Sequence, residues 1–269
     1  MGYLLGNMLW VDDPYRPLLA QLGLTSLAAL RARLGIREVG PRRAVEVQPH
    51  ELTAPDGSRL AVFAKHYAYP SPCWAFLGRR SKARCEYQNY AVFKSLGIPC
   101  ADRIACGEWR DGLGRLRGAL ILTRAIPQAL TLIDFWETQC PTRVTASARH
   151  LRVSLRRQLA AMTRRIHTAG FSHHDLVWRN VLVTGQPPAG PQLWWIDCPR
   201  GRFSRWPLGR RRRQLKDLAS LDKRAARHAS RGERLAFVLD YLGLSRLNPE
   251  AKRLIRDTLA YRKSRWPHD

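Results

Sequence analysis

The sequence predicts an α+β chain in two parts, a β-rich first part and a mainly helical second. Three observations carry this. Val45 and Val47 alternate with Glu46 and Gln48, and Arg59–Tyr67 and 104–123 read as further strands about turns at 55–57 and 110–114. Beyond residue 132 the apolar residues recur at helical spacing, most clearly Leu151, Leu155, Leu159, Met162 and Ile166. A loop–strand–turn–strand segment at 173–197 interrupts the helices and carries a concentration of polar chemistry.

The chain has 269 residues, enough for one large domain or two lobes, and an apolar fraction of 45% marks it as globular. No uninterrupted apolar run is long enough to span a bilayer, and the start MGYLLGNMLWVDDP has no basic n-region or small-residue cleavage site, so a cytoplasmic chain without a signal peptide is expected. Six scattered cysteines form no C-x-x-C pair, which speaks against zinc and for a reducing compartment. The net charge of +25 implies attraction to a polyanion, whether nucleic acid, anionic membrane or anionic substrate, and charge alone does not choose among these or exclude a merely solubilising surface.

Residues 14–36 read as a helical leader broken near Gly23, with Ser26 placed to cap its second piece. On the strand 59–67, Ala61, Phe63 and Lys65 share a face; a lysine among apolar neighbours needs an anionic partner, although Lys65 read alone also fits an edge strand. Ser81 to Leu96 reads as a helix stopped by Gly97 and Pro99, and Glu86 lies on one stripe with Tyr90 and Phe93. Glu86 follows Lys65 by 21 residues and is the available partner; a dipole-favoured surface carboxylate is the alternative. A helix ending at Gly170 delivers the chain to His173, and its arginines read as a solvated face. Arg200, Arg202, Arg205 and Arg210–Arg213 read as a basic loop, followed by a helix from Leu215 and two closing helices.

The segment 173–197 places His173, Asp175 and Asn180 in the order H-x-D-x-x-x-x-N, then the run Val181–Val183, a Pro/Gly turn, and a second apolar run ending on Asp197. A hairpin of this kind returns Asp197 beside Asn180, so that two oxygen ligands distant in sequence can share one hard cation. Such an arrangement suits phosphoryl transfer, which asks for positioning and charge neutralisation more than for covalent chemistry.

His173-His174-Asp175 resembles the H-R-D loop of the protein-kinase-like fold, and Ile196-Asp197-Cys198 resembles its D-F-G site. Within that fold the chain resembles the bacterial lipopolysaccharide kinases, which phosphorylate Kdo or heptose of the inner core, and Trp195–Arg202 (WIDCPRGR) resembles their InaA-type branch. The resemblance implies a two-lobed protein-kinase-like fold, with a β-rich N-lobe over 1–123 and a helical C-lobe over 124–269, and ATP with Mg²⁺ between them. It implies Asp175 as the catalytic carboxylate, Asn180 and Asp197 as metal ligands, and Lys65 with Glu86 as the phosphate-holding pair. Thr123 would sit behind the adenine, and Arg124 to Ile126 would offer backbone groups to it. His173 would support the loop, and Asp217, in Lys216-Asp217-Leu218-Ala219, would brace it or simply stand as an ordinary helix carboxylate. No G-x-G-x-x-G precedes Lys65; Gly40 as a turn and Arg43 at the phosphates are the candidates. Cys198-Pro199 stands where Phe-Gly is usual, and Arg124 where an acidic residue is expected.

The expected function is transfer of the γ-phosphoryl group of ATP to a sugar hydroxyl of the lipopolysaccharide inner core. Arg200, Arg202, Arg211, Arg212 and Arg213 would meet the anionic acceptor, and the basic surface would lie on the anionic inner membrane. Rival readings are a kinase-fold enzyme for another small molecule or for protein, and an inactive basic binding protein; nucleic acid is the disfavoured partner.

Overall fold

Residues 14–36 form a 3₁₀ turn and two short helices, α1 (Arg16–Gln21) and α2 (Leu27–Arg33), and Ser26 caps α2 by accepting the Ala29 N–H at 3.1 Å. The computed structural model describes residues 6–36, 45–54, 56–73, 76–140, 145–185, 190–204 and 206–267, apart from the side chains of 70–73 and 208. Contacts divide the chain into two units: Met1–Val92 with Ala101–Ile126, and Phe93–Cys100 with Pro127–Asp269.

The first unit is built on an antiparallel five-stranded sheet. Its strands are β1 (Met8–Val11), β2 (Val45–Thr53), β3 (Arg59–Cys73), β4 (Arg103–Arg110) and β5 (Leu116–Arg124), in the spatial order β1-β4-β5-β3-β2. One face is apolar because alternate residues of β3, Val62 and Ala64, point to it together with Ile104, Leu120 and Leu122. The leucines of α1 and α2 (Leu19, Leu27, Leu30 and Leu34) cover that face, so the leader is part of this core. β1 precedes that leader, pairs with β4 and extends the sheet.

Helix α3 (Lys82–Ser95) is tied to the sheet at its N-terminus. Ser81 donates its backbone N–H to Glu108 Oε1 at 2.7 Å and caps Arg84 through its hydroxyl. Glu108 and Arg110 form a buried ion pair, and Arg110 also donates to the carbonyls of Phe76, Arg79 and Gly114. These carbonyls satisfy the two terminal nitrogens of Arg110, which offsets part of the cost of burying the pair, while Nε has no hydrogen-bond partner among the described residues.

The second unit contains α4 (Leu132–Gln139), α5 (Ala146–Thr168), α6 (Pro207–His228), α7 (Arg231–Leu242) and α8 (Pro249–Arg265). It also holds a three-stranded sheet in the order β6-β8-β9, from β6 (Leu130–Thr131), β8 (Val181–Thr184) and β9 (Gln192–Trp195). A two-stranded pair joins β7 (Phe171–Ser172) to β10 (Arg202–Phe203). The α5 stripe is buried at Leu155, Leu159, Met162 and Ile166.

Two readings of the arginines are corrected. Arg210–Arg213 belong to α6, which Pro207 opens in its first turn, and not to a loop. Arg210 donates to the His167 and Thr168 carbonyls, Arg211 to Asp257 of α8, and Arg213 to Ser204. On α5, Arg152 and Arg156 are not simply solvated: they reach Glu233 and Asp240 of α7 at 3.3 and 2.7 Å. Asp222 of α6 gathers Arg234 and Arg262 in the same manner. Part of the positive charge therefore ties helix to helix. Among the described residues no helix is long and apolar enough to cross a membrane.

Candidate active site

Asp175, Asn180 and Asp197 meet at one end of the β8–β9 hairpin. The hairpin pairs Val181 with Trp195 and Thr184 with Gln192, which returns the chain beside the loop it left. Asn180 is the joint. Its Nδ2 donates to the Asp175 carbonyl at 2.9 Å, and its own carbonyl accepts the Ile196 N–H at 3.0 Å. One residue past Asp197, the Cys198 thiol reaches the His173 carbonyl at 3.7 Å. Asp197 is thus held from both sides against the loop that carries Asp175. It adopts φ +57°, and His174 adopts φ +68°, the left-handed region that non-glycine residues occupy only when their surroundings insist.

The loop is braced from beneath by Asp217 on α6. This fully buried carboxylate accepts the His173 N–H at 2.7 Å on Oδ2 and the His174 N–H at 2.8 Å on Oδ1. His167 Nε2 approaches Oδ2 at 3.3 Å, and Tyr241 Oη lies 2.9 Å from His167 Nδ1. An ionised carboxylate only accepts, so His167 donates to it from Nε2. Burial pushes the Asp217 pKa up, but the His167 hydrogen bond and charge together with the loop N–H groups outweigh it, and the net value falls below the ordinary one. Burial pushes the Tyr241 hydroxyl up to about 12, so it stays protonated.

His173 itself is packed and neutral. Its ring stacks on Phe93 and meets Trp195 edge-on, and burial lowers its pKa although Asp217, Asp175 and Asp197 all lie within electrostatic reach and oppose the change. His174 is lowered to about 4, mainly by burial.

In the first unit Lys65 Nζ lies 3.1 Å from Glu86 Oε2, with the carboxylate almost wholly buried. Two tyrosines complete the solvation of that carboxylate. Tyr67 donates to Oε2 at 2.7 Å and Tyr90 to Oε1 at 3.3 Å. Register places Val47 and Ile121 beside Lys65, and Pro49 and Thr123 beside Phe63. Val45, Val47 and Phe63 are about half exposed, so this sheet face is apolar and open there, while Ile121 and Tyr67 beside the lysine are buried. Arg124 ends β5 and Ile126 follows it. The Arg124 N–H donates to the Asp102 carbonyl and the Ala125 N–H to the Ala61 carbonyl, so these two are not the backbone donors expected for a base. Gly40 and Arg43 lie outside the described residues, as does Arg205. Arg202 is exposed on β10 and Arg200 precedes it; Arg211 and Arg213 are engaged by Asp257 and Ser204, while Arg212 points outward.

Tyr67, Tyr90, His167 and Tyr241 were not singled out for these contacts from sequence. Tyr67 and Tyr90 had a local signal: two residues along a strand from Lys65 and four along a helix from Glu86. His167 and Tyr241 had none.

The family model for the lipopolysaccharide kinase (Kdo/WaaP) family matches residues 73–241, more than half of the chain. The chain belongs to that family. The matched span includes Glu86, Asp175, Asn180, Asp197 and Asp217, and begins after Lys65. No curated protein sequence matches the chain. Among solved structures it is similar to WaaP in complex with acyl carrier protein, at a TM-score of 0.66 and 20% identity over 96% of this chain and 97% of that one. A weaker likeness is to the PAN3 pseudokinase of Drosophila melanogaster, at 0.44 and 15% identity over 85% and 59%. The fold of this lipopolysaccharide kinase family member is protein-kinase-like α+β, a β-rich unit followed by a mainly helical one.

The residues present fit a magnesium–nucleotide site by their chemistry. Among the described residues no cluster of three His, Cys, Asp or Glu side chains forms a metal cage. Mg²⁺ is commonly held by only one or two protein oxygens plus phosphates. The Asn180 amide nitrogen is already spent on Asp175, so its oxygen is the atom that would meet a cation.

Proposed function

We propose that this family member is an ATP-dependent kinase that phosphorylates a sugar hydroxyl of the lipopolysaccharide inner core, with Asp175 as the catalytic carboxylate. The observation that carries this reading is the joint at Asn180, which ties the Asp175 loop to the strand ending on Asp197. Asp175 would orient the acceptor hydroxyl and take its proton, a role worth ~10²–10⁴-fold. Asn180 and Asp197 would present oxygens to Mg²⁺. The ion would supply neutralisation of the charge on the phosphate oxygens. Lys65, fixed by Glu86, would hold the nucleotide phosphates, and the open apolar face at Val47 and Phe63, with Thr123 beside it, would take the base. His173 would support the loop, and Asp217 would hold its backbone.

Arg200 and Arg202 follow Asp197 by three and five residues and would meet the acidic groups of the acceptor. Arg212 is the third open cation, whereas Arg211 and Arg213 would act there only by giving up their present partners. The working place would be the cytoplasmic face of the inner membrane, where charge that salt screens would hold the protein. The test offers γ-labelled ATP with purified core oligosaccharide, a protein acceptor, or water alone. Label on the oligosaccharide that disappears in Asp175→Asn supports the reading. Label on protein, release to water only, or transfer that survives in Asp175→Asn overturns it.

A further inference from the structure

We infer that the corner between β10 and α6 is the membrane-docking surface of the protein, and that its partner is an anionic phospholipid bilayer. This rests on the proposed lipid-anchored acceptor for its purpose, but not for its observations.

Trp206 is 78% exposed, the most exposed large apolar residue among those described, and Phe203 is 53% exposed. Neither has a packing or capping role that accounts for this. Trp206 occupies the N-cap position of α6, where a side-chain acceptor is favoured, and makes no capping bond. Phe203 meets Phe171 in a T-shaped pair at 5.2 Å and stays about half exposed. With Arg202, Gly209 and Arg213 they bound a pocket of about 250 Å³.

Around them the sequence 200–216 holds seven arginines and one lysine and no acidic residue. Three of these have intramolecular partners: Arg210 at the end of α5, Arg211 at Asp257, and Arg213 at Ser204. Arg200, Arg202 and Arg212 are exposed. Aromatic side chains set among arginines suit a bilayer boundary, where the rings enter the headgroup level and the cations meet lipid phosphates.

The pocket side chains Arg202, Phe203, Trp206 and Arg213 supply no acceptor for sugar hydroxyls, so of the proposed acceptor this corner would meet only the acidic groups. The location gives the docking a purpose. β10 pairs with β7, the two residues that lead into His173, and the Ser204 N–H donates to the Gly170 carbonyl. A bilayer seated on this corner would present its headgroup layer to the Asp175 loop.

The test uses the full chain with vesicles of about 30% phosphatidylglycerol in phosphatidylcholine, and with phosphatidylcholine alone; the anionic lipid supplies the surface charge the arginines need. Wild type is expected to sediment with the first and not the second, and to be released by salt. Trp206→Ser should weaken binding by roughly tenfold, the loss expected for one large side chain no longer buried, and Phe203→Ser/Trp206→Ser further. Melting temperature should not fall in Trp206→Ser, because serine supplies the capping acceptor that the N-cap of α6 lacks. Equal binding of wild type and Trp206→Ser, or equal binding to both vesicles, overturns the inference. So does displacement of the protein from anionic vesicles by single-stranded DNA with no dependence on Trp206. Transfer to delipidated core oligosaccharide should be unchanged in Trp206→Ser; a loss there would make the corner an acceptor subsite instead. The vesicle measurements need no ATP, so they stand even if the kinase reading fails.

Discussion

Replacing Asp217 by asparagine should dismantle the loop support while changing one atom. The carboxylate accepts two backbone N–H groups at 2.7 and 2.8 Å, one on each oxygen, from a fully buried position. An asparagine keeps one acceptor and turns the other into an NH₂ that faces a donor. Hydrogen bonds to a charged group are worth about 1.5–3 kcal/mol, and a buried donor left unsatisfied costs about 1–3 kcal/mol. The expected destabilisation is therefore about 2–4 kcal/mol, which for a chain of this size lowers Tm on the order of 5–15 °C. The loop should also shift, and misplacement of about 1 Å costs on the order of 10²-fold in rate. Calorimetry at neutral pH and the oligosaccharide transfer assay read the two effects. The pH dependence has a definite sign. Asp217 has a folded pKa below its ordinary value, so its contribution is full above that ordinary value and is lost as pH falls through the lowered one. Wild type and Asp217→Asn should converge in stability below about pH 4. A variant that melts within about 1 °C of wild type at neutral pH, well inside the shift expected here, and retains full turnover would refute the bracing role.

Asp175→Asn should lower kcat by ~10²–10⁴-fold with little change in Tm or nucleotide affinity, measured by steady-state transfer and nucleotide titration; an unaltered kcat would remove Asp175 from the reaction. Tyr67→Phe deletes the 2.7 Å bond to Glu86 and should raise the KM for ATP several-fold, whereas Tyr90→Phe, at 3.3 Å, should do less; the reverse order would contradict the geometry. His174 has a folded pKa of about 4, so the unfolded chain takes up its proton first as pH falls. Stability should therefore decline between about pH 6.5 and 4, and His174→Asn, which tolerates the left-handed backbone, should flatten that decline. A double-mutant cycle on Arg156 and Asp240, 2.7 Å apart and partly exposed, should give a coupling of about 0.5–1 kcal/mol that weakens in salt.

The legible parts of the fold were those with local causes. The alternation at Val45–Gln48, the leucine stripe of α5, and the Ser26 cap are each set by neighbours within a turn or a pleat, and each appears where the pattern put it. The illegible parts were settled by contacts remote in sequence. Four residues, Met8–Val11, become a strand because the open edge of β4 accepts them, and so short a run has no periodicity of its own. The arginines of α6 looked like loop because their side chains are not apolar. They sit in a helix because Arg210 finds the carbonyls at the end of α5 and Arg211 finds Asp257. Ala61, Phe63 and Lys65 do share a face, exposed at Ala61 and Phe63 but buried beyond the lysine at Tyr67 and Ile121; Val62 and Ala64 turn to the packed one.

The sequence by itself determined the order and spacing of the chemistry: His173, Asp175 and Asn180 in one loop, an apolar hairpin, and Asp197 at its end. Backbone geometry over so few residues leaves little else for such a segment to do. Only the tertiary structure decided which buried charges meet. The Asp217 carboxylate reaches His173 across 44 residues, His167 reaches Tyr241 across 74, and Glu86 gathers Lys65 and Tyr67 from a strand. A carboxylate out of water must find donors, and the packing of the helices and the sheet, rather than any local pattern, sets which donors stand within about three ångströms.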